Sequence, residues 1–176
     1  MPLKETPQVS NVLRLFVSAV FLWGVAYTTI SANVPKIYSP YSFAVVIPLF
    51  SLYEVFGGRA ITFALATLAI PVLFVFWSFP LLKGQERIPK RTKILAALLV
   101  LLSFIALAAS WSYGIQYQGI GHTVAMYLFN LGCWAILFVL LRNNARQASY
   151  TSNFLFHWTL FAWLAWVAFP WLGELI

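Results

Sequence analysis

Long apolar stretches separated by short polar segments are the dominant pattern of this chain. Five uninterrupted apolar runs cover approximately residues 12–32, 60–82, 94–113, 121–141 and 154–172. Each is close to the length of about 20 residues that a helix needs to cross a bilayer. The runs are continuous rather than alternating, as expected for buried or lipid-facing helices. The pattern predicts an all-α integral membrane protein, a five-span transmembrane helical bundle that forms a single domain over residues 1–176.

A further apolar stretch, residues 41–56, does not fit this scheme. Its 16 residues would form a helix of about 24 Å, against a hydrocarbon core of about 30 Å. Pro48 removes a backbone donor in its middle, and Glu54 adds a charge near its end. We expect a short interfacial or re-entrant segment on the outer side that does not cross the bilayer. A bundle of six spans is the alternative.

The composition agrees with a membrane protein and excludes several other classes. Hydrophobic residues make up 62% of the chain and charged residues only 9%, whereas a soluble domain carries about 25% charged residues. A soluble enzyme, a disordered tail and a nucleic-acid-binding domain are therefore excluded. The net charge of +7 does not indicate nucleic-acid binding, because the basic residues flank the apolar runs.

The distribution of Lys and Arg predicts the orientation, since cytoplasmic loops carry an excess of both. Five spans with the N-terminus inside place nine basic residues inside and two, Lys36 and Arg59, outside. Six spans give eight inside and three outside. We therefore expect the cytoplasmic membrane, with the N-terminus inside and the C-terminus outside. We also expect the first run to be a retained span rather than a cleaved signal peptide.

Small residues recur along several runs and indicate helix contacts. Ala96, Ser103 and Ser110 lie seven residues apart on the third run, a spacing that lets another helix approach closely. These positions predict the internal contacts of one bundle, with a homo-oligomer interface as the alternative. Pro71 is expected to kink the second span.

Candidate ligand-binding residues lie in the fourth and fifth runs. Asn130 is the deepest polar side chain, and Tyr127 shares its helix face. Trp163 and Trp166 lie deep in the fifth run, where their indole N–H groups need acceptors. Two interpretations stay open: hydrogen bonds between neighbouring helices, or a wall of a pocket for a lipid or another hydrophobic ligand.

Candidate catalytic residues converge on the predicted outer face. Glu54, Arg59 and His122 could perform general acid–base chemistry on an amphiphile at the interface. The sequence contains no nucleophile motif, no P-loop and no HExxH zinc motif that would support an enzyme. Whether the chain is an enzyme is therefore left open, with a non-catalytic role preferred.

No metal or cofactor is expected. His122 and His157 are predicted near opposite membrane surfaces, so one haem iron cannot bind both. His157 is expected as an interfacial residue near the start of its helix. Cys133 is the single cysteine and excludes both an internal disulfide and a thiolate cluster.

These observations favour a binding protein. We expect a small polytopic membrane protein that binds a lipid or hydrophobic ligand, or that stabilises a membrane partner. The alternatives are an interfacial enzyme acting at the outer face and a transporter or channel subunit. The expected partners are membrane lipids and either a second copy of the chain or another membrane protein.

Overall fold

The computed structural model describes residues 7–37 and 59–165, and the elements within these ranges are helices. They are α1 (Pro7–Ile37), α2 (Arg59–Leu82), α3 (Lys90–Gln118), α4 (Ile120–Arg146) and α5 (Tyr150–Trp163). No strand occurs in the described residues. The all-helical fold class is therefore confirmed for this part of the chain. The segment 41–56, including Pro48 and Glu54, lies outside the described residues.

Helix α5 is the centre of the described bundle. It contacts α1, α2 and α4, while α1 packs mainly against α2, and α3 mainly against α4. Two helical hairpins, α1/α2 and α3/α4, therefore have α5 between them. Helix α5 supplies more residues to the buried core than any other helix, and Phe156, Leu160 and Phe161 are fully buried there.

Side-chain contacts define the helix directions. The Arg14 guanidinium lies 5.9 Å from the Tyr150 ring centre, and the Phe21 and Trp158 rings are 5.8 Å apart. In both pairs, the later residue of α1 contacts the later residue of α5, so the two helices are parallel. The rings of Phe74 on α2 and Phe161 are 5.6 Å apart.

The connection that follows α2 contacts the start of α5, so α2 is antiparallel to α5 and therefore to α1. Consequently, the end of α1 and the start of α2 point to the same end of the bundle. The connections 83–89 and 147–149 lie at the other end, which we call the basic end.

Helices α1 to α4 are longer than the apolar runs that predicted them. Helix α3 continues through Gln118, although its apolar run stops near Tyr113, and α4 begins at Ile120. Gly119 alone separates the two helices, with φ of 85° and ψ of 154°, a conformation essentially restricted to glycine. The expected outer loop is therefore replaced by helix, because the helix pairs backbone groups that a loop would leave to solvent.

Helix α2 passes through both of its prolines. Pro71 and Pro80 lie inside one continuous element from Arg59 to Leu82. In α3, Ala96 and Ser103 are buried as the small-residue spacing predicted, whereas the side chain of Ser110 lies outside the described part.

The surface and interior have an unusual distribution of polarity. Large apolar side chains such as Phe16, Val72 and Leu128 are exposed, while Asn130, Asn153 and other polar residues are buried. Two stretches in the described ranges are long and apolar enough to cross a membrane: Ser10–Tyr27 and Thr123–Arg146. Helix α2 contributes a shorter apolar stretch, Leu68–Leu82. The expectation of five such helices is therefore met by two of those described.

Candidate functional site

The side chains of the predicted catalytic residues Glu54, Arg59 and His122 are outside the described part of the structure. Arg59 is the first residue of α2 and His122 the third of α4. Both helices start opposite the basic end, but the side chains of these two residues are outside the described part, as is Glu54. His157 is the eighth residue of α5, so its backbone is roughly 25 Å along the bundle axis from that of His122. The catalytic trio stays a prediction.

Asn130 and Trp163 bond to each other between α4 and α5. The Trp163 indole N–H donates to Asn130 Oδ1 over 2.9 Å, and both side chains are buried. Asn130 Nδ2 donates to the Met126 carbonyl, also over 2.9 Å. Of the two interpretations, the described geometry therefore favours the interhelical hydrogen bond for this pair. Trp166 lies outside the described residues.

Tyr127 joins α4 to α3. Its hydroxyl donates to the Leu107 carbonyl, and its ring meets Trp111 edge-on with centres 4.9 Å apart. The Tyr127 hydroxyl is thus also hydrogen-bonded within the bundle. Ligand binding by Tyr127, Asn130, Trp163 and Trp166 remains a prediction, to which these contacts add no support.

A hydrogen-bond network at the basic end was not predicted from the sequence. Asn144, near the end of α4, accepts from the Ile88 backbone N–H over 3.0 Å. Its Nδ2 atom donates to the Glu86 carbonyl at 2.7 Å and to Ser152 Oγ at 2.6 Å. One buried side chain thereby joins α4, the connection 83–89 and α5.

Asn153 repeats this role from α5. Its Nδ2 atom donates to the carbonyls of Gln85 and Arg87, over 2.8 Å and 3.1 Å. Ser149 caps the same helix, with Oγ accepting from the Ser152 N–H over 3.2 Å. The connection 83–89 is therefore held over the start of α5 by two asparagines.

His157 is the eighth residue of α5, near the basic end, and its interfacial position in a membrane stays a prediction. It is 0% exposed, because the connection 83–89 and α3 cover the start of α5. The ring Nδ1 lies 2.9 Å from the Asn153 carbonyl and Nε2 lies 3.1 Å from Thr92 Oγ1. A carbonyl only accepts, so Nδ1–H donates to it. In the neutral ring, Nε2 then accepts a hydrogen bond from the Thr92 hydroxyl.

Basic side chains surround this network. The connections and adjacent helix ends carry eight of them: Arg14, Lys83, Arg87, Lys90, Arg91, Lys93, Arg142 and Arg146. Arg14 contacts the face of Tyr150. Burial raises the pKa of the Tyr150 phenol, and Arg14 acts in the opposite direction without cancelling that effect.

An apolar groove of about 720 Å³ runs between α1 and α2. This volume is within the usual range for small-molecule sites. Its walls come from both helices, and Arg91 at the start of α3 closes it at the basic end. The lining residues are Phe16, Ala19, Val20, Trp23, Leu68, Pro71, Val72, Val75, Phe76, Phe79 and Arg91.

A second groove, of about 590 Å³, lies between α3 and α4. Its lining is also apolar, with Lys93 at the basic end and Trp134 deeper along α4. The two grooves are alike. Each is lined by aliphatic and aromatic side chains, and each has one basic side chain from the first turn of α3 at its basic end.

The described residues provide no site for a metal ion. No group of three His, Cys, Asp or Glu side chains comes together within them, and Cys133 on α4 is a half-buried free thiol. Comparison with protein families, curated proteins and solved structures finds no match to this chain.

Proposed function

We propose that the chain is a five-span bundle of the cytoplasmic membrane, with the basic end in the cytoplasm and the C-terminus outside. Exposed apolar side chains and buried polar ones support this, since the hydrocarbon core offers no hydrogen-bond partner. Only 11% of an 18-residue apolar window within Thr123–Arg146 is buried, whereas the core helix of a soluble protein would be largely covered. The basic residues at one end match the bias of cytoplasmic loops.

The orientation predicts opposite labelling at two positions. Gln85 lies in the connection 83–89 and Gln118 ends α3 at the opposite end. With Cys133 replaced by Ser, an impermeant maleimide added to intact cells should label Gln118→Cys and leave Gln85→Cys unlabelled. Inverted membrane vesicles should give the reverse pattern. Labelling of both positions from the same side would contradict the orientation.

Within this membrane setting, the function that the geometry supports best is binding of a lipid or another hydrophobic ligand. The observation that carries this proposal is the groove between α1 and α2, whose volume is about 720 Å³. Its lining is apolar apart from Arg91, which suits a hydrocarbon ligand. A role in stabilising a membrane partner would use the same exposed apolar faces and is the second expectation.

Filling the groove should displace the ligand. Val72 is 62% exposed and lines the groove, so Val72→Trp adds bulk there without disturbing the core. The purified full chain in mild detergent should lose most of its co-purifying lipid, as measured by native mass spectrometry. Val139 is the matched control, because it is exposed on α4 and lines neither groove. Equal lipid retention by Val72→Trp, Val139→Trp and the wild type would contradict the proposal.

A further inference from the structure

Resting on the proposed binding function, we infer that the groove between α1 and α2 holds an acyl chain of an anionic phospholipid, with Arg91 binding the lipid phosphate. The inference begins from the position of Arg91. This residue belongs to the first turn of α3, yet it lines a groove formed by α1 and α2. The connection 83–89 brings it there, since that connection joins the end of α2 to the start of α3.

Within the described residues, the recorded contacts of the Arg91 guanidinium are with aromatic rings and not with a hydrogen-bond acceptor. The guanidinium carbon lies 5.8 Å from the Phe76 ring centre and 5.6 Å from that of Trp77. These aromatic contacts position the cation at the mouth of the groove. Glu86 is the only acid within residues 7–37 and 59–165, and no ion pair joins it to Arg91. A phosphate can therefore accept the bidentate hydrogen bonds that a guanidinium group favours.

The shape of the groove matches a lipid lying along the helices. Its α2 wall extends from Phe79, near the basic end, to Leu68, a distance of roughly 16 Å at 1.5 Å per residue. A headgroup at Arg91 would lie at the level of the connection 83–89, and the chain would run toward the middle of the bundle. A phospholipid has the same arrangement, with a polar headgroup at one end and apolar chains extending from it.

The surrounding charge favours an anionic headgroup over a zwitterionic one. Arg87 and Lys90 lie within four residues of Arg91 along the chain, and each basic residue near a membrane surface adds to the attraction of anionic lipid. A zwitterionic lipid offers the same phosphate but carries a compensating cation, which these side chains would repel. The occupant is therefore a phospholipid with net negative charge.

The test compares two lipids with identical chains, phosphatidylglycerol and phosphatidylcholine. Full-length protein is equilibrated in mixed micelles containing both, and native mass spectrometry gives the ratio of the two among bound lipids. We expect phosphatidylglycerol to be enriched in the wild type. Arg91→Gln should reduce that enrichment about fivefold while total bound lipid changes little. Arg91→Lys should fall between them, because it keeps the charge but loses the planar fork.

Two further variants make the outcome decisive. Arg142 is an exposed basic residue at the same end that lines neither groove, so Arg142→Gln should leave the enrichment near the wild-type ratio. An equal loss in Arg142→Gln and Arg91→Gln would overturn the Arg91 site, because selection would then come from the general basic surface. Val72→Trp should lower both lipids together. Unchanged total lipid in Val72→Trp would instead contradict the proposed function, so the two failures are distinguishable.

Discussion

Replacing Trp163 with alanine is expected to destabilise the bundle by about 3 kcal/mol, toward the lower end of the cost of deleting a buried aromatic side chain. Trp163 is among the largest fully buried side chains of the described residues, and its removal leaves a cavity between α4 and α5. The lower end applies to the proposed membrane bundle, because apolar surface gains less when it leaves lipid than when it leaves water. Reversible unfolding in mixed micelles with increasing SDS measures this loss.

Trp158 provides the matched control on the same helix. It is only half-buried, and its ring stacks on Phe21 of α1. Trp158→Ala should therefore cost clearly less than Trp163→Ala. Similar costs for the two alanine variants would contradict the central packing of Trp163.

A double-mutant cycle separates the hydrogen bond of Trp163 from its packing. Trp163→Phe removes the indole N–H and Asn130→Ala removes its acceptor. If the bond stabilises the bundle, the double variant should lose less than the sum of the two single losses. The expected difference is about 0.6–1.7 kcal/mol, the range measured for hydrogen bonds between membrane helices. Strictly additive losses would show that the bond contributes nothing.

Asn144→Ala is expected to cost about 2–3 kcal/mol, because it leaves buried backbone groups without a partner. The Ile88 N–H and the Glu86 carbonyl both lose their bond to Asn144. The connection 83–89 should then become mobile, so trypsin should cleave after Arg87 in the variant before it cleaves the wild type. The measurements are SDS-induced unfolding and the time course of proteolysis in detergent.

Asn143→Ala is the control for this prediction, because Asn143 is the exposed neighbour on the same helix. It should leave both stability and the cleavage rate close to those of the wild type. Asn144→Asp adds a second comparison. It keeps an acceptor for Ile88 but turns a carboxylate toward the Glu86 carbonyl, so it should also destabilise. Resistance of Asn144→Ala to trypsin would contradict the restraining role of the network.

The sequence predicted the helices well and their ends less well. Apolar runs identify helices because the runs must be buried or face lipid, but the helical backbone continues wherever its hydrogen bonds can form. Helix α3 therefore includes the polar residues from Gln116 to Gln118. The end of α3 depends on Gly119, whose positive φ is a local property that the hydrophobic pattern does not contain.

At the candidate site, too, the sequence indicated which side chains need a partner but not which residues are their partners. Asn130 and Trp163 were each predicted to need a partner, but only the antiparallel register of α4 and α5 shows that they bond to each other. Asn144 and Asn153 were overlooked because they lie in the polar stretch between two predicted apolar runs. Their nine-residue spacing across a turn between two apolar runs was the available signal. Arg91 was counted only as a topology residue, since its place in the groove depends on the path of residues 83–89.

The central position of α5 has a consequence for biosynthesis. The hairpins α1/α2 and α3/α4 are each complete before α5 is translated, yet α5 supplies most of what joins them. Synthesis starts at the N-terminus, so both hairpins are made before α5 is available to join them. Until then, Asn130, Thr92 and Phe74 lack the contacts that α5 provides. In the proposed membrane bundle, a nascent chain stalled before Tyr150 would therefore present polar groups to lipid, the feature by which quality-control proteases could distinguish it from the protein that contains α5.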